Sequence, residues 1–375
     1  MKAIVNGKLI VNDQITEEKI LLFDKTIVAV CDMRNLSGIE VIDAKGQYVS
    51  AGFIDLHIHG SGGADVMDAT PEALQTISET LVQTGTTSFL ATTMTMSTSA
   101  IENALQNVKQ HASLVKGARV IGVHLEGPFL NPEKHGAQDK QYIREPSVEL
   151  IAPYLDQIRM ITMAPEIAGA EKFIRMLSGK FPHIILSIGH SNASFEQSKE
   201  SFAWGITHAT HLFNAMNPCF HREPGITGAV FDSDITCDII ADRVHVHPSV
   251  LKLTHRIKGD KLMLITDAMR AGCMQNGSYD LGGRPVSVEN GKAVLQDGTL
   301  AGSVLKLNEA LRNMTNVSDM TRIEAVNAVT CIPAKKLGLD LGKLENGYAA
   351  DIVIFDKDFS IITTIVEGEV KYNKG

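Results

Sequence analysis

The sequence predicts an α/β protein, a (β/α)8 TIM barrel with a small β-sandwich domain formed from both chain termini. Three observations lead to this prediction. Eight strand-like apolar runs lie between residues 53 and 266, helix-like stretches follow most of them, and short alternating strands occur at both chain ends. Repeated strand–helix units favour a parallel barrel. A doubly wound open sheet is the alternative, but the first strand lacks the GxGxxG turn typical of dinucleotide-binding sheets.

The two ends of the chain have β character. Short alternating runs such as Lys19–Phe23 are separated by Asn-Gly, Asp and Gly turns, and residues 350–355 and 361–370 repeat this pattern near the C-terminus. We expect the two segments to pair in one small domain, residues 1–50 plus 345–375, beside a barrel formed by residues 51–344. Two unrelated peripheral sheets are the alternative.

Between these segments the pattern alternates between strands and helices. The eight predicted strands are 53–57, 86–91, 120–125, 160–164, 184–188, 206–211, 235–241 and 262–266. The predicted helices include 71–84, 170–177, 194–203 and 248–257. A hairpin with its turn at 289–292 is predicted over 278–298, and helices 304–314 and 322–328 then close the barrel.

Composition excludes several classes of protein. The 375 residues carry a net charge of -8, which provides no basic surface for nucleic acid. No apolar run approaches membrane-spanning length, and the N-terminus lacks the pattern of a signal peptide. The cysteines are scattered and form no CxxC: Cys31, Cys219, Cys237, Cys273 and Cys331. We therefore expect a cytoplasmic protein without a disulfide framework and without a membrane partner.

Polar side chains follow several of the strand-like runs, at the ends that meet on one rim of a TIM barrel. They are His57, His59, Glu126, His190, His211 and Asp267. Catalytic residues of TIM barrels lie on this rim, and four histidines with two carboxylates match a hydrolytic metal site with room for water. Taken singly, the HxH pair also fits buried hydrogen-bonded histidines, and Asp267 fits a helix N-cap. His208, three residues before His211, is interpreted as structural.

The motifs around these residues resemble the amidohydrolase superfamily and, within it, the N-acetylglucosamine-6-phosphate deacetylases. The matching stretches are GFIDLHIHG, HLEGPFLNPEKHGAQ, GHSNA, THLFNAMN followed by HREPG, DRVHVHP, TDAM and GTLAGS, which span residues 52–303 in the expected order. HLEGPF and THLFNAM are specific to this branch. Most superfamily members have a carboxylated lysine on the fourth strand, whereas this sequence has Glu126 on the third, as the deacetylases do.

The resemblance implies a metal site and a catalytic residue. It makes Glu126, His190 and His211 the main metal ligands, and His57 and His59 the ligands of a second ion. The expected cofactor is a divalent metal, Zn or Fe, with one or two ions per chain. Some family members have lost the HxH pair and work with one metal, so a single ion is the alternative. Asp267 is implied as the general base and general acid.

The resemblance also implies contacts with an amino-sugar phosphate. The implied substrate-binding residues are Ala137, Gln138, Asn214, Ala215, Arg222, His245, Leu300 and Ala301. Arg222 has the planar fork suited to phosphate. The matching arginine of the family comes from the neighbouring subunit, which implies a homodimer. Some family members have His at the position of Gln138, which puts that contact in doubt.

The activity implied by the resemblance is hydrolysis of N-acetylglucosamine 6-phosphate to glucosamine 6-phosphate and acetate. Two alternatives stay open. One is another amidohydrolase, such as an N-acetylgalactosamine-6-phosphate deacetylase. The other is a non-catalytic scaffold of the same fold, although such proteins lose ligands or the aspartate, and all six rim positions are intact here.

Overall fold

The computed structural model of the protein describes residues 1–32 and 36–375. Its strands are β1 (Lys2–Val5), β2 (Lys8–Val11), β3 (Gln14–Thr16), β4 (Lys19–Phe23), β5 (Ile27–Asp32), β6 (Glu40–Asp43), β7 (Tyr48–Ala51), β8 (Phe53–Ile58), β9 (Gly60–Ser61), β10 (Ala64–Asp65), β11 (Thr86–Thr92), β12 (Arg119–Glu126), β13 (Ile158–Met163), β14 (Ile185–Ile188), β15 (His208–Ala209), β16 (Thr236–Ile240), β17 (Leu262–Ile265), β18 (Gly277–Leu281), β19 (Arg284–Glu289), β20 (Lys292–Leu295), β21 (Ile352–Phe355), β22 (Ile361–Val366) and β23 (Glu369–Asn373). Its α-helices are α1 (Pro71–Leu81), α2 (Thr98–His111), α3 (Val148–Ile151), α4 (Ala170–Lys180), α5 (Phe195–Trp204), α6 (Gly225–Phe231), α7 (Pro248–Lys258), α8 (Leu307–Val317), α9 (Arg322–Asn327) and α10 (Cys331–Leu337).

Eight parallel strands form the barrel, in the order β17–β16–β15–β14–β13–β12–β11–β8. The sheet closes between β8 and the residues after β17. There the Asp267 amide donates to the His57 carbonyl at 2.9 Å, and the His59 amide donates to the Ala268 carbonyl at 2.9 Å. All eight predicted strands are present, and the TIM-barrel prediction is confirmed. The sixth strand is shorter than predicted, because only β15 pairs within the run 206–211.

Helix α1 begins and ends where the local sequence predicts, whereas the helix predicted at 304–314 lies three residues later, as α8. Helix α1 starts after Thr70, whose side chain accepts a hydrogen bond from the Ala73 amide at 3.1 Å, with Pro71 in the first turn. A 3₁₀ turn continues it to Gly85, which adopts a φ of 81° that glycine tolerates. The apolar face of α1 packs on the barrel, so the predicted helix 71–84 is confirmed.

Strands near the chain termini form two further sheets, the first from N-terminal strands alone and the second from strands of both ends. One has the order β5–β4–β1–β6, and the other has the order β23–β22–β21–β7–β2–β3. In the second sheet β7 lies between the C-terminal strand β21 and the N-terminal strand β2. Residues from both ends share one apolar core, including Leu9, Phe23, Ile352 and Ile365. The β-sandwich of both termini is therefore confirmed, while the boundaries at residues 50 and 345 stay a prediction.

The segment after β17 contains three antiparallel strands, β18–β19–β20, rather than the single predicted hairpin. The predicted turn joins β19 to β20, with Glu289 opposite Lys292. This three-stranded insert packs its apolar face on Met94, Met269 and Ala301, so it covers part of the rim of the barrel. Within the described residues, none of the helices has the length and apolar content needed to cross a bilayer.

Candidate active site and metal centre

The carboxyl ends of β8 and β12 bring two imidazoles and a carboxylate together. His57 and His59 point the same way, and their Nε2 atoms lie 3.2 Å apart. Glu126 ends β12, with Oε2 at 3.2 Å from His59 Nε2 and Oε1 at 3.5 Å from His57 Nε2. All three side chains are buried, and their ligand atoms lie within 4.8 Å of one another, so this set can hold one cation.

Glu126 also belongs to a second set of ligand atoms. Its Oε1 lies 3.1 Å from His190 Nε2 and 3.1 Å from His211 Nε2, and the two Nε2 atoms are 3.1 Å apart. His190 and His211 follow β14 and β15 with φ values of 48° and 33°, which are strained for residues with a Cβ. Such strain is typical of functional sites, where it aims a side chain.

Charge crowding around Glu126 fits a cation site. Burial alone would lower the pKa of His211, but its hydrogen bond and charge interaction with Glu126 raise that pKa to about 9. Burial also opposes ionisation of Glu126, yet the surrounding imidazoles hold its pKa well below the usual range. An imidazole nitrogen must lose its proton to bind a metal. A bound divalent cation would then replace these protons as the positive charge that balances Glu126. Imidazole nitrogen and carboxylate oxygen suit Zn or Fe(II), and these residues therefore fit the expected metal.

Asp267 lies beside the HxH pair. Its Oδ1 is 3.4 Å from His57 Nε2 and 3.3 Å from His59 Nε2. Burial opposes ionisation of this carboxyl group, but the charge of His57 and the hydrogen bond from His59 outweigh burial and lower its pKa. The ionised carboxylate can accept a proton at neutral pH.

Hydrogen bonds from neighbouring backbone and side-chain groups hold the candidate ligands in place. His190 Nδ1 lies 2.9 Å from the Lys134 carbonyl, so Nδ1–H donates there and Nε2 keeps its lone pair for a metal. The Asp238 carboxylate accepts the His211 amide at 2.5 Å and lies 2.8 Å from His208 Nε2. This contact agrees with the structural interpretation of His208.

Asp55 supports a candidate ligand in the same way, where β8 meets the chain after β17. It accepts the His57 amide at 3.2 Å and the Thr266 hydroxyl at 2.6 Å. Sequence reasoning missed both Asp55 and Asp238. The available signal was an acidic residue inside a buried apolar strand, in FIDLHI and TCDII.

A cavity of about 220 Å³ opens directly onto these groups. Of the predicted site residues it is lined by His59, Glu126, Ala137, Gln138, His190, His211, Asn214, Ala215, His245, Asp267 and Leu300. Met94 and Leu281 add apolar wall that the motifs did not indicate, because they come from outside the matching stretches. The mixture of apolar wall and convergent polar groups is typical of a small-molecule site.

Three of the predicted site residues do not line this cavity in the described part of the chain. His57 lies behind the lining and is fully buried. Ala301 is also fully buried, in the apolar cluster under the insert, where its amide donates to the Ala293 carbonyl at 3.0 Å. Arg222 is exposed and lines a different cavity, of about 430 Å³, together with Phe220. Contact between Arg222 and a substrate bound to a neighbouring subunit stays a prediction.

His245 is held by Asp242 at the wall of the cavity. Its Nδ1 lies 2.7 Å from Asp242 Oδ2, and Asp242 Oδ1 accepts the amides of Val244 and His245 at 2.8 Å each. Because a carboxylate only accepts hydrogen bonds, Nδ1 carries a proton.

Comparisons with known proteins agree with this geometry. The model of the amidohydrolase family matches residues 48–371. An N-acetylglucosamine-6-phosphate deacetylase of Lysinibacillus sphaericus is 37% identical over 381 residues, covering 99% of this chain and 98% of the relative. An N-acetylgalactosamine-6-phosphate deacetylase of Escherichia coli O157:H7 is 34% identical, over 88% of this chain and 90% of the relative.

The fold comparison gives the same family. The crystal structure of N-acetylglucosamine-6-phosphate deacetylase from Pasteurella multocida superimposes with a TM-score of 0.95 at 33% identity, over 99% of this chain and 100% of that one. The alternative of an open doubly wound sheet is thereby excluded. The chain belongs to the amidohydrolase family, in the branch of the N-acetylglucosamine-6-phosphate deacetylases.

Proposed function

We propose that this protein hydrolyses the acetamide bond of N-acetylglucosamine 6-phosphate, releasing glucosamine 6-phosphate and acetate. The observation that carries the proposal is the convergence of Asp267 and two histidine–carboxylate sets on one cavity. Relatives of this chain that cover nearly its full length carry the name of this deacetylase. The intact ligands and aspartate argue against a non-catalytic scaffold.

The metal centre that we propose holds two divalent ions, Zn or Fe. Glu126, His190 and His211 would hold one ion, and His57 and His59 would hold the other together with Glu126, which belongs to both sets. A single ion held by the first set is the alternative. When bound, the metal supplies Lewis acidity toward the acetyl carbonyl and lowers the pKa of a water molecule toward about 7.

The side chains of the cavity divide the remaining tasks. Asp267 takes a proton from the attacking water and returns it to the sugar nitrogen as the amide bond breaks. Asp242 accepts the Nδ1–H of His245 and orients the ring, which leaves Nε2 for contact with the substrate. We assign Asn214, Ala215, Ala137 and Leu300 to the sugar phosphate, because they line the cavity around the candidate metal ligands.

The experiment is an acetate-release assay on a panel of substrates. The panel contains N-acetylglucosamine, N-acetylglucosamine 6-phosphate and N-acetylgalactosamine 6-phosphate. We expect the highest kcat/KM for the gluco phosphate, and a roughly 100- to 10,000-fold loss of kcat in Asp267→Asn with metal content unchanged. A higher kcat/KM for the galacto phosphate would establish the alternative deacetylase, and no release from either phosphate would reject deacetylation. Near-normal turnover in Asp267→Asn would remove Asp267 from the mechanism.

We also propose a homodimer in which Arg222 reaches the phosphate of a substrate bound to the partner subunit. A net charge of -8 does not attract a phosphate ester by its overall field, so a local cation is needed. Arg222 is exposed outside the cavity of its own subunit, and Phe220 beside it is 57% exposed. An exposed aromatic residue of this kind is typical of a protein–protein contact.

Substitution of Arg222 tests this arrangement. Arg222→Ala removes a charge-assisted contact, which should lower kcat/KM for the phosphorylated sugar by roughly 10- to 150-fold and leave the unphosphorylated sugar unaffected. Arg175→Ala is the matched control, because Arg175 is also exposed and forms an ion pair with Glu171 on its own helix. Mixing Arg222→Ala with Asp267→Asn should restore activity in mixed dimers. Equal losses on both sugars would refute the phosphate role, and no restoration despite subunit exchange would refute the partner arrangement.

A cytoplasmic location completes the proposal. Cys219, Cys237, Cys273 and Cys331 form no disulfide, and Cys219 is exposed, which suits a reducing compartment. Recovery of the protein in a cytoplasmic fraction would agree with this location, and recovery in an extracellular fraction would contradict it.

A further inference from the structure

The side chain of Gln138 connects a candidate metal ligand to the barrel backbone. Gln138 is only 3% exposed. Its Nε2 lies 2.6 Å from Glu126 Oε2, and its Oε1 accepts the Thr95 amide at 2.7 Å. These contacts engage both ends of the amide and fix the side chain against Glu126.

The direction of the Gln138 amide follows from its partners. The Thr95 amide can only donate, so the carbonyl oxygen of Gln138 must face it. The NH₂ group must then face Glu126, where the carboxylate can only accept. The neutral amide therefore donates to Glu126 without adding a charge that would compete with a cation.

The loop around Gln138 is held on two sides. His135 Nδ1 lies 2.9 Å from the backbone carbonyl of Gln138, and the backbone N–H of Gln138 donates to the backbone carbonyl of His135 at 2.9 Å. Arg284 of the three-stranded insert donates to the Ala137 carbonyl at 3.2 Å. These contacts keep the amide of Gln138 against Glu126.

Gln138 touches only one of the two carboxylate oxygens. Oε1 of Glu126 lies at 3.1 Å from both His190 and His211, whereas Oε2 lies at 3.2 Å from His59. The amide donates to Oε2, which is the oxygen next to His59, whereas His57 Nε2 lies 3.5 Å from Oε1. An oxygen with two lone pairs can accept this hydrogen bond and still bind one cation.

We propose that Gln138 is a positioning residue that holds Glu126 Oε2 toward His59 and thereby sets the affinity of the second ion. The inference rests on the proposed two-ion centre. Without the amide, the carboxylate can rotate and offer both oxygens to the ion held by His190 and His211. The second site then loses its carboxylate oxygen, while the first site keeps all of its ligands.

Stepwise metal titration tests this role. Metal-depleted protein is titrated with Zn²⁺ in competition with a chromophoric chelator, and two dissociation constants are fitted. In Gln138→Met, a substitution of similar size without hydrogen-bonding groups, the second ion should bind roughly 10- to 100-fold more weakly, and the first ion should change by less than about threefold. Gln141→Met is the matched control, because the exposed Gln141 amide in the same loop bonds only to Asp139. Both constants should stay unchanged there.

A second variant guards against a folding defect. Gln138→Asn keeps the amide but is one methylene too short to bridge Thr95 and Glu126. The second ion should therefore bind more weakly in this variant as well. Unchanged constants in folded Gln138→Met, or equal losses of both ions, would overturn the proposal. Wild-type protein that never takes up more than one ion would overturn it together with the two-ion centre. Deacetylation is tested separately by acetate release, so the failures are distinguishable.

Discussion

Replacement of Asp238 tests how the interior of the barrel holds the candidate ligand His211. Asp238 is fully buried in β16, where it accepts the His211 amide at 2.5 Å and contacts His208 Nε2 at 2.8 Å. His211 needs this support because its φ of 33° is costly for a residue with a Cβ. Asp238 thus stabilises the backbone conformation that aims His211 at Glu126.

The expected loss in the free energy of unfolding depends on which hydrogen-bond acceptors remain after the substitution. Asp238→Ala leaves the His211 amide and His208 Nε2–H without a partner, and each buried donor costs roughly 1–3 kcal/mol, so the unfolding free energy should fall by roughly 2–6 kcal/mol. Asp238→Asn still accepts the His211 amide. Burial lowers the pKa of His208, so the neutral ring can change tautomer, accept from the new amide and donate to Thr236 Oγ1 at 2.7 Å. The loss in Asp238→Asn should stay under about 2 kcal/mol.

Two measurements check this reasoning. Urea unfolding of the metal-depleted variants gives the free energies, and competition titration gives the affinity for the ion held by His190 and His211. We expect Asp238→Ala to bind that ion roughly 10- to 100-fold more weakly. Asp260→Ala serves as the control, since Asp260 is exposed. Equal free energies of unfolding for the Ala and Asn variants at position 238, or unchanged metal affinity in the Ala variant, would refute the reasoning.

Three further predictions concern the second ion, a buried amine and a buried thiol. The double variant His57→Ala, His59→Ala should bind one metal per chain instead of two, and metal analysis showing one ion in the loaded wild type would contradict this. Burial lowers the pKa of Lys336 from 10.5 to about 8, so its charged form destabilises the fold below pH 8. Stability of the wild type relative to Lys336→Met should therefore rise between pH 8 and 10.5, as measured by urea unfolding, and a flat difference would contradict burial of the amine. Burial raises the pKa of Cys237 to about 12, whereas Cys219 is exposed, so a thiol reagent should label only the latter of these two in the native protein. Rapid native labelling of Cys237 would contradict its placement.

The barrel could be predicted because its elements are encoded locally. All six residues of β8 are buried, as its apolar residues indicate, and α1 begins at Pro71 after the N-cap Thr70 and is followed by a turn that ends at Gly85. Several elements departed from their predictions, among them helix α8, which lies at Leu307–Val317 instead of 304–314. Strand β15 is shorter because the chain turns out of the sheet at His211, and β18 went unpredicted because most of its residues lie outside the core and lack alternation.

The site could be predicted in part. The candidate ligands follow barrel strands, and parallel strands of a barrel end on one rim, so convergence follows from the topology. The contacts that support them do not follow, because each joins distant positions. Gln138 meets Thr95 43 residues away, and Asp238 meets the amide of His211 27 residues away. Neither pair has a motif spacing that a local pattern could reveal.

The sequence by itself determined the barrel, the pairing of the termini and the residues that converge on the rim, because strand periodicity and strand-end chemistry are local properties. Only the tertiary structure decided which atoms face each other. It showed that Glu126 presents Oε1 to His190 and His211 and Oε2 to His59, that Gln138 binds Oε2, and that Arg222 lies outside the cavity. Side-chain direction depends on rotamers and on neighbours from distant strands, and these are set only when the chain packs.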